Sequence, residues 1–410
     1  MRIARLLQET LTLILAGGQG ERLYPLTKDR AKPAVPFAGK YRIVDFTLSN
    51  CVNSGLKRIF VLTQYKSMSL DRHLKLGWNI FSSALDEYLH TVPPQFRIGD
   101  HWYQGTADAV FQNVHILEEV RPARVLVLSG DHIYKMDYSQ MIEAHVRTGA
   151  LATVAAVEFD RASATRMGIL EVDSLNRVLN FMEKPENPQP MPGRPDVSLV
   201  NMGVYVLEPP AWVAAIAADA RKETNHDFGR NILPEMVRTG RVYSHMFRDE
   251  NRKKVKYWRD IGTLDSYYEA SMDLIQVDPL FNLYDTNFPI RSFMEPRPPV
   301  KMVFAGGEDG RIGVAVDSLL CNGCIVSGGR VERSILSPDV RINSYSLVQD
   351  SILFDRVNVG RHAKIRRAII DKDVKVPPGF CIGYNQEEDA RRFSVTESGL
   401  VVVPKGERIV

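Results

Sequence analysis

The chain has 410 residues, 44% of them apolar and 25% charged, with a formal net charge of +3, which is long enough to bury more than one core. That charge balance does not support a nucleic-acid or anionic-membrane partner, no window reaches the apolar length of a membrane span, and the first residues lack a signal-peptide layout. Four cysteines in this length fit a reducing, cytoplasmic enzyme. Cys321-x-x-Cys324 has metal-like spacing, but no second pair or nearby histidine completes a set, so burial as small apolar side chains is the default.

In chain order, Leu11-Thr12-Leu13-Ile14-Leu15 reads as a buried strand. Gly17-Gly18-Gln19-Gly20-Glu21-Arg22-Leu23 follows it, and glycines there let bare backbone N–H groups approach a polyphosphate. Arg22 and Lys32 can neutralise phosphate oxygens at the mouth of such a turn. The spacing is that of neither a P-loop nor a dinucleotide fingerprint, and a tight strand exit is the alternative. Asp45 is expected to cap a helix that ends near Gly55. Ile59 to Leu62 and Val125 to Leu128 read as further strands, and Thr106 or Asp108 opens another helix. This alternation predicts an α/β domain with a mostly parallel sheet covered on both faces, ligands binding beyond the carboxyl ends of the strands. The polar stretch from Trp78 to Gly105, with Pro93-Pro94, reads as a long loop of lid type.

Gly130-Asp131-His132 puts Asp131 at a strand's carboxyl end, where an aspartate either holds Mg²⁺ against a nucleotide phosphate or caps a turn. Asp260, in Tyr257-Trp258-Arg259-Asp260, carries the same two readings. Glu183-Lys184-Pro185 projects two charges from a strand exit fixed by proline, to read sugar hydroxyls and a phosphate or to form an exposed ion pair. Trp102-Tyr103-Gln104-Gly105 places aromatic rings at a small-residue turn, for a base or for packing. The basic run Arg252 to Lys256 reads as a solvated face, Asp389 to Arg392 as a charge cluster or part of an anion site, and His362 as structural.

Beyond a helix at Leu264 to Val277, Pro296, Pro298 and Pro299 mark a linker, giving a first domain over 1–280, a linker over 281–310 and a last domain over 311–410. The last domain carries a repeat of roughly 17 residues. Ile325, Ile342, Val359 and Val376 recur, as do Val331, Val348, Ile365 and Ile382, and Leu336, Leu353 and Ile370. Three apolar positions per period predict a triangular β-helix with one inward residue per side, suited to subunit packing or to buttressing the first domain.

Together the motifs resemble the glucose-1-phosphate adenylyltransferase family of bacteria over nearly the whole chain. The resemblance rests on GGxGxRL, Arg30-Ala31-Lys32-Pro33, Asp45-Phe46-Thr47-Leu48-Ser49-Asn50, Gly105-Thr106-Ala107-Asp108, Gly130-Asp131-His132-Ile133-Tyr134-Lys135 and Tyr257-Trp258-Arg259-Asp260. It implies a Rossmann-like nucleotidyltransferase domain with a C-terminal left-handed parallel β-helix. It also implies transfer of adenylyl from ATP to α-D-glucose 1-phosphate, giving ADP-glucose and pyrophosphate, the first committed step towards glycogen. Carried over by motif, Arg22 and Lys32 stabilise the leaving pyrophosphate, and Asp131 and Asp260 hold Mg²⁺. Leu15, Gly17, Gly18, Gln104 and Gly105 meet the nucleotide. Tyr103, Gly168, Glu183, Lys184 and Asn201 meet the sugar phosphate. Gln64 and Trp102 couple regulation to catalysis, with Arg30, Arg42 and Arg391 towards phosphorylated effectors in a homotetramer. Two positions depart from the family pattern: Asp29, where many relatives carry a basic residue and where a carboxylate repels a bisphosphate, and Asn201, where the family typically has serine. A catalytically silent regulatory subunit and a transferase for another nucleoside triphosphate are the competing readings.

Overall fold

The computed structural model describes residues 2–95, 97, 101–304 and 311–409. Four parallel strands lie side by side in the order Tyr88–Val92, Arg58–Thr63, Thr10–Ala16, Arg124–Ser129. Beyond them the long strand Val197–Leu207 runs antiparallel to Arg124–Ser129 and pairs with Ala152–Asp160 and Gly168–Val172, so the sheet is mixed on that side. The chain leaves Thr10–Ala16 towards one edge and returns on its other side at Arg124–Ser129. The carboxyl ends of those two neighbours therefore form a switch point, where loops diverge and leave a crevice.

The strands are apolar on both faces because helices cover both. Ile14, Leu126 and Leu128 pack with Leu48, Trp78, Tyr138 and Ile142 on one side. Leu11, Leu13, Val125 and Val127 pack with Val110, Leu117, Trp212 and Ile216 on the other, as the period of two requires.

Asp45 is not the N-cap residue of its helix but the third residue of a capping box. The helix spans Ile43–Asn53 with Arg42 at its N-cap, and Asp45 is the third helical residue, its carboxylate accepting from the Arg42 N–H at 2.7 Å. The same fully buried carboxylate meets His73 Nε2 at 2.6 Å, Trp78 Nε1 at 2.8 Å and Ser292 Oγ at 2.7 Å. An acceptor used four ways ties three distant segments together. The stretch from Trp78 to Gly105 is not all loop either. Tyr88–Val92 is a strand at the sheet edge, Trp78 is buried, and residues 96 and 98–100 lie outside the described residues.

The β-helix starts within the stretch expected to be linker: Lys301–Val303 already pairs with Ile325–Ser327, while residues 305–310 lie outside the described residues. The preceding segment is docked, with Phe281 and Ile290 buried and the Arg291 N–H donating to Ser49 Oγ at 2.8 Å. Three parallel sheets form the prism. The repeat holds with one shift. Val326, not Ile325, pairs with Ile342 and points inward, so the first coil is one residue shorter. The side that carries Leu336, Leu353 and Ile370 is completed by Val401–Val403, after the helix Gln386–Arg392, and the antiparallel strand Ser394–Val395 then borders it.

That side is apolar on both faces. In Ile335-Leu336, Ile352-Leu353 and Ile369-Ile370 the second residue fills the prism. The first packs with Phe37, Tyr267 and Phe354 in a core shared with the first domain. The other two sides alternate polar and apolar residues, as in Arg330-Val331-Glu332 and Lys364-Ile365-Arg366 on one and Arg341-Ile342 and Lys375-Val376 on the other. No helix among the described residues is long and apolar enough to cross a membrane.

A shared core means shared stability. All four tryptophans lie in the first domain, at 78, 102, 212 and 258, whereas Phe354, edge-on to Tyr267 at 6.4 Å, belongs to the β-helix. Phe354→Ala should cost about 3–5 kcal/mol and lower the urea midpoint read by tryptophan fluorescence. An unmoved fluorescence midpoint would mean that the domains unfold independently.

Candidate active site

Leu15 pairs with Ser129 across the switch point, which fixes the glycine turn and Asp131 on adjacent strand ends. Between them lies a cleft of about 680 Å³ whose walls include Gly17, Gly18, Arg22, Lys32, Gln104 and Asp131. Leu15, Gln64, Tyr103 and Gly105 line it too, and Asp260 enters beside Gly262.

Gly20 adopts φ +67°, and a side chain there would lie 2.9 Å from Lys32 Cβ. The left-handed turn thus folds the glycine strip onto the lysine. Lys32 opens the short 3₁₀ turn Lys32–Ala34, and its Nζ stands 2.8 Å from Asp131 Oδ2 and 3.7 Å from Asp260 Oδ1. The Arg22 guanidinium lies beside Asp260: a Cβ on Gly262 would come within 3.1 Å of Arg22 Nη2 and 3.2 Å of Asp260 Oδ2. Asp260 reaches this point because Trp258–Asp260 pairs antiparallel with His132–Tyr134, Asp260 opposite His132. Burial alone would raise the Asp131 carboxyl, but Lys32 and His132 outweigh it, aided by a hydrogen bond from Ser129 Oγ, and hold it well below the usual carboxylate range.

Asp131, His132 and Asp260 each offer a ligand atom within 4.8 Å of one another. His132 Nδ1 is buried with no hydrogen-bond partner. Two carboxylates at such spacing, with phosphate oxygens to complete the shell, suit Mg²⁺, which is commonly bound through one or two carboxylates. His132 stood in the sequence beside Asp131 without a role; its neighbour's fold, not its spacing, brings it to the acids.

Gln64 clamps the Tyr103 backbone, accepting from its N–H at 2.9 Å and donating to its carbonyl at 3.3 Å. Gly17 lets this happen, since a side chain there would sit 3.0 Å from Gln64 Cβ. Trp102 is 48% exposed and stacks on Tyr65, a cleft residue, with ring centroids 5.4 Å apart.

Glu183, Lys184, Gly168 and Asn201 form a neighbouring patch and do not line the 680 Å³ cleft itself. A Cβ on Gly168 would lie 2.9 Å from Glu183 Oε2, and one on Gly229 3.0 Å from it and 3.4 Å from Asp227 Oδ1. Burial raises the Glu183 carboxyl and Asp227 adds to that, against Lys184, whose Nζ is 3.5 Å away. Asn201 donates to Tyr205 OH at 2.7 Å and accepts from the Gly203 N–H at 3.0 Å. The pairing register slips between Asn201 and Tyr205, and the bulge swings Gly203 to within 3.5 Å of His132 and Ser129, measured from a built Cβ. The Asn201 end of the patch thereby borders His132, beside Asp131. Asp227 carried no sequence signal beyond its place in a polar loop.

Arg30 and Arg42 stand elsewhere, in a cleft of about 940 Å³ between the two domains. Its cations, among them Arg30, Arg42, Arg72, Arg356, Lys372 and Lys405, face Asp29, Glu295 and Asp355. Arg30 is buried and bidentate to Asp371 at 3.0 Å, and Arg42 donates to the Ala34 carbonyl at 2.7 Å. Lys372 pairs with Asp355 at 2.8 Å. Burial and Arg42 push its ammonium down to about 8 against Asp355. Arg391 lies exposed on the helix Gln386–Arg392 and does not line this cleft. Cys321 and Cys324 are free thiols.

Residues 11–277 match the family described as Nucleotidyl transferase, and residues 298–403 match GlmU-like, C-terminal hexapeptide, which makes the prism a left-handed β-helix. The chain is 53% identical over 408 residues to the glucose-1-phosphate adenylyltransferase of Rhodopirellula baltica, covering 98% of this chain and 92% of that one. It belongs to the glucose-1-phosphate adenylyltransferase family. The relative of that name from Koribacter versatilis is 50% identical (97% and 95% covered). Glucose-1-phosphate adenylyltransferase 2 of Vibrio cholerae is 48% identical (97% and 98% covered).

The turn before the first cleft helix depends on close backbone approach. At Gly105 a methyl group would lie 2.3 Å from the carbonyl oxygens of Asn225 and His226. Gly105→Ala should therefore destabilise the protein by about 1–3 kcal/mol, measured by urea unfolding.

Proposed function

We propose that this enzyme transfers adenylyl from ATP to α-D-glucose 1-phosphate, releasing pyrophosphate and ADP-glucose, and that it supplies glycogen synthesis. One observation carries the reading: two cations of the glycine-turn segment meet two carboxylates across one cleft, in a chain about half identical to adenylyltransferases. In such a displacement a sugar-phosphate oxygen attacks the α-phosphorus in line with the departing pyrophosphate, and charge neutralisation with positioning does most of the work.

The glycine turn and the Gln104-Gly105 turn hold the nucleotide. Arg22 and Lys32 draw the leaving pyrophosphate and neutralise the charge it gains. Lys184, exposed at the strand exit, grips the sugar phosphate, while Glu183 orients sugar hydroxyls, with Gly168 leaving room for the ring. Asn201 acts on the sugar through Tyr205, which it hydrogen-bonds. Asp131 and Asp260 would hold Mg²⁺, which when bound polarises the phosphoryl oxygens. Release of pyrophosphate should be fastest with ATP in a panel of ATP, UTP, dTTP and GTP. Turnover with UTP equal to or better than ATP would overturn the assignment.

The 940 Å³ cleft is proposed as the site for a phosphorylated effector, supported by its excess of cations over acids. Residues 29 and 30 line this cleft and 32 and 33 line the other, so one short segment borders both. Gln64 and Trp102 would pass the effect to the Tyr103 turn. Asp29 disfavours a bisphosphate on its side. A homotetramer is proposed as well, supported by Met302, Val316 and Tyr384, which stay exposed on the β-helix.

The Lys372 ammonium, facing Arg30, Arg42 and Asp355, is charged below about 8 and neutral above it. Attraction for an anion therefore falls as pH rises through that value. Activation or inhibition by a phosphorylated metabolite, measured from pH 7 to 9, should weaken through about pH 8. The fall should be lost in Lys372→Met.

A further inference from the structure

The ammonium of Lys32 is held by the very carboxylates that suit a divalent cation. Its side chain is only 11% exposed, 2.8 Å from Asp131 and 3.7 Å from Asp260. The stem has little freedom at its base, because Gly20 packs on its Cβ and Pro33 follows in the same 3₁₀ turn. Beyond Cβ the flexible four-carbon chain can still swing its head. A divalent cation entering between Asp131 and Asp260 would take the ammonium's partners and set like charges a few ångströms apart.

We propose that Lys32 competes with the divalent cation for Asp131 and Asp260, and yields them when a polyphosphate offers its ammonium new anionic oxygens. This rests on the reading of those two aspartates as the metal pair. The cleft then loads in a coupled manner: polyphosphate and cation each remove an obstacle to the other, and either alone leaves a charge uncompensated. Lys32 has two stations, on the acids before loading and on the phosphates after it. Arg22 stands beside Asp260 at the Gly262 turn, whereas Lys32 is the cation paired with both acids.

Mn²⁺ alone is the probe, with free metal counted by electron paramagnetic resonance on the full-length enzyme without nucleotide. Lys32→Met should bind Mn²⁺ at least tenfold more tightly than the natural protein, Lys32→Arg should bind as weakly as the natural protein, and Arg22→Met should gain several-fold less than Lys32→Met. Should the methionine variant fail to fold by circular dichroism, Lys32→Gln carries the same expectation. Equal affinity in the natural and Lys32→Met enzymes, or an equal gain from Arg22→Met, overturns the competition. Adding Asp131→Asn to Lys32→Met should abolish the tight site. If the tight site survives, the failure lies in the assignment of the metal pair, and the competition falls with it.

Discussion

The candidate active site depends on the parallel register between Thr10–Ala16 and Arg124–Ser129. That register sets the glycine turn beside Asp131, and the pairing of Trp258–Asp260 with His132–Tyr134 brings the second acid to the same place. Opposite charges so gathered are costly to separate from water unless they compensate one another. Here the compensation is local, with Lys32 and Arg22 set against two aspartates. The groups that balance each other are the same ones that the proposed reaction assigns to a triphosphate and its metal.

The candidate acids were legible because they stand at strand ends, and strand ends are marked by apolar runs breaking into glycine or a charged residue. Asp131 and Asp260 could be placed that way, and Arg22 and Lys32 as the basic residues that follow the glycine turn; their convergence could not. It is made by pairing between segments more than a hundred residues apart, which no local pattern encodes. Asp45 shows the reverse failure. Its position at the start of an apolar helix looked like the N-cap; it is the third helical residue, and its buried carboxylate meets His73, Trp78 and Ser292 as well as the Arg42 N–H. Tyr88–Val92 escaped notice because an edge strand running into Pro93-Pro94 lacks the apolar continuity of its neighbours.

The β-helix repeat carried more information than its period. Paired apolar residues at Ile335-Leu336, Ile352-Leu353 and Ile369-Ile370 mark the one side covered from both directions. That side meets the first domain, and the polar alternation of the other two leaves them facing outward. A single slip at Val326 shifts the first phase by one residue, and a pairing register shows it where periodicity alone does not.

The far end of the prism has a consequence of its own. Stacked coils present bare strand edges, and identical molecules can add to such edges without limit. Here Ser394–Val395 turns back antiparallel along Val401–Val403, after the helix Gln386–Arg392 has interrupted the winding. An antiparallel border offers the wrong polarity for another parallel rung. Addition of a further parallel rung is thereby disfavoured on the side that the first domain also covers.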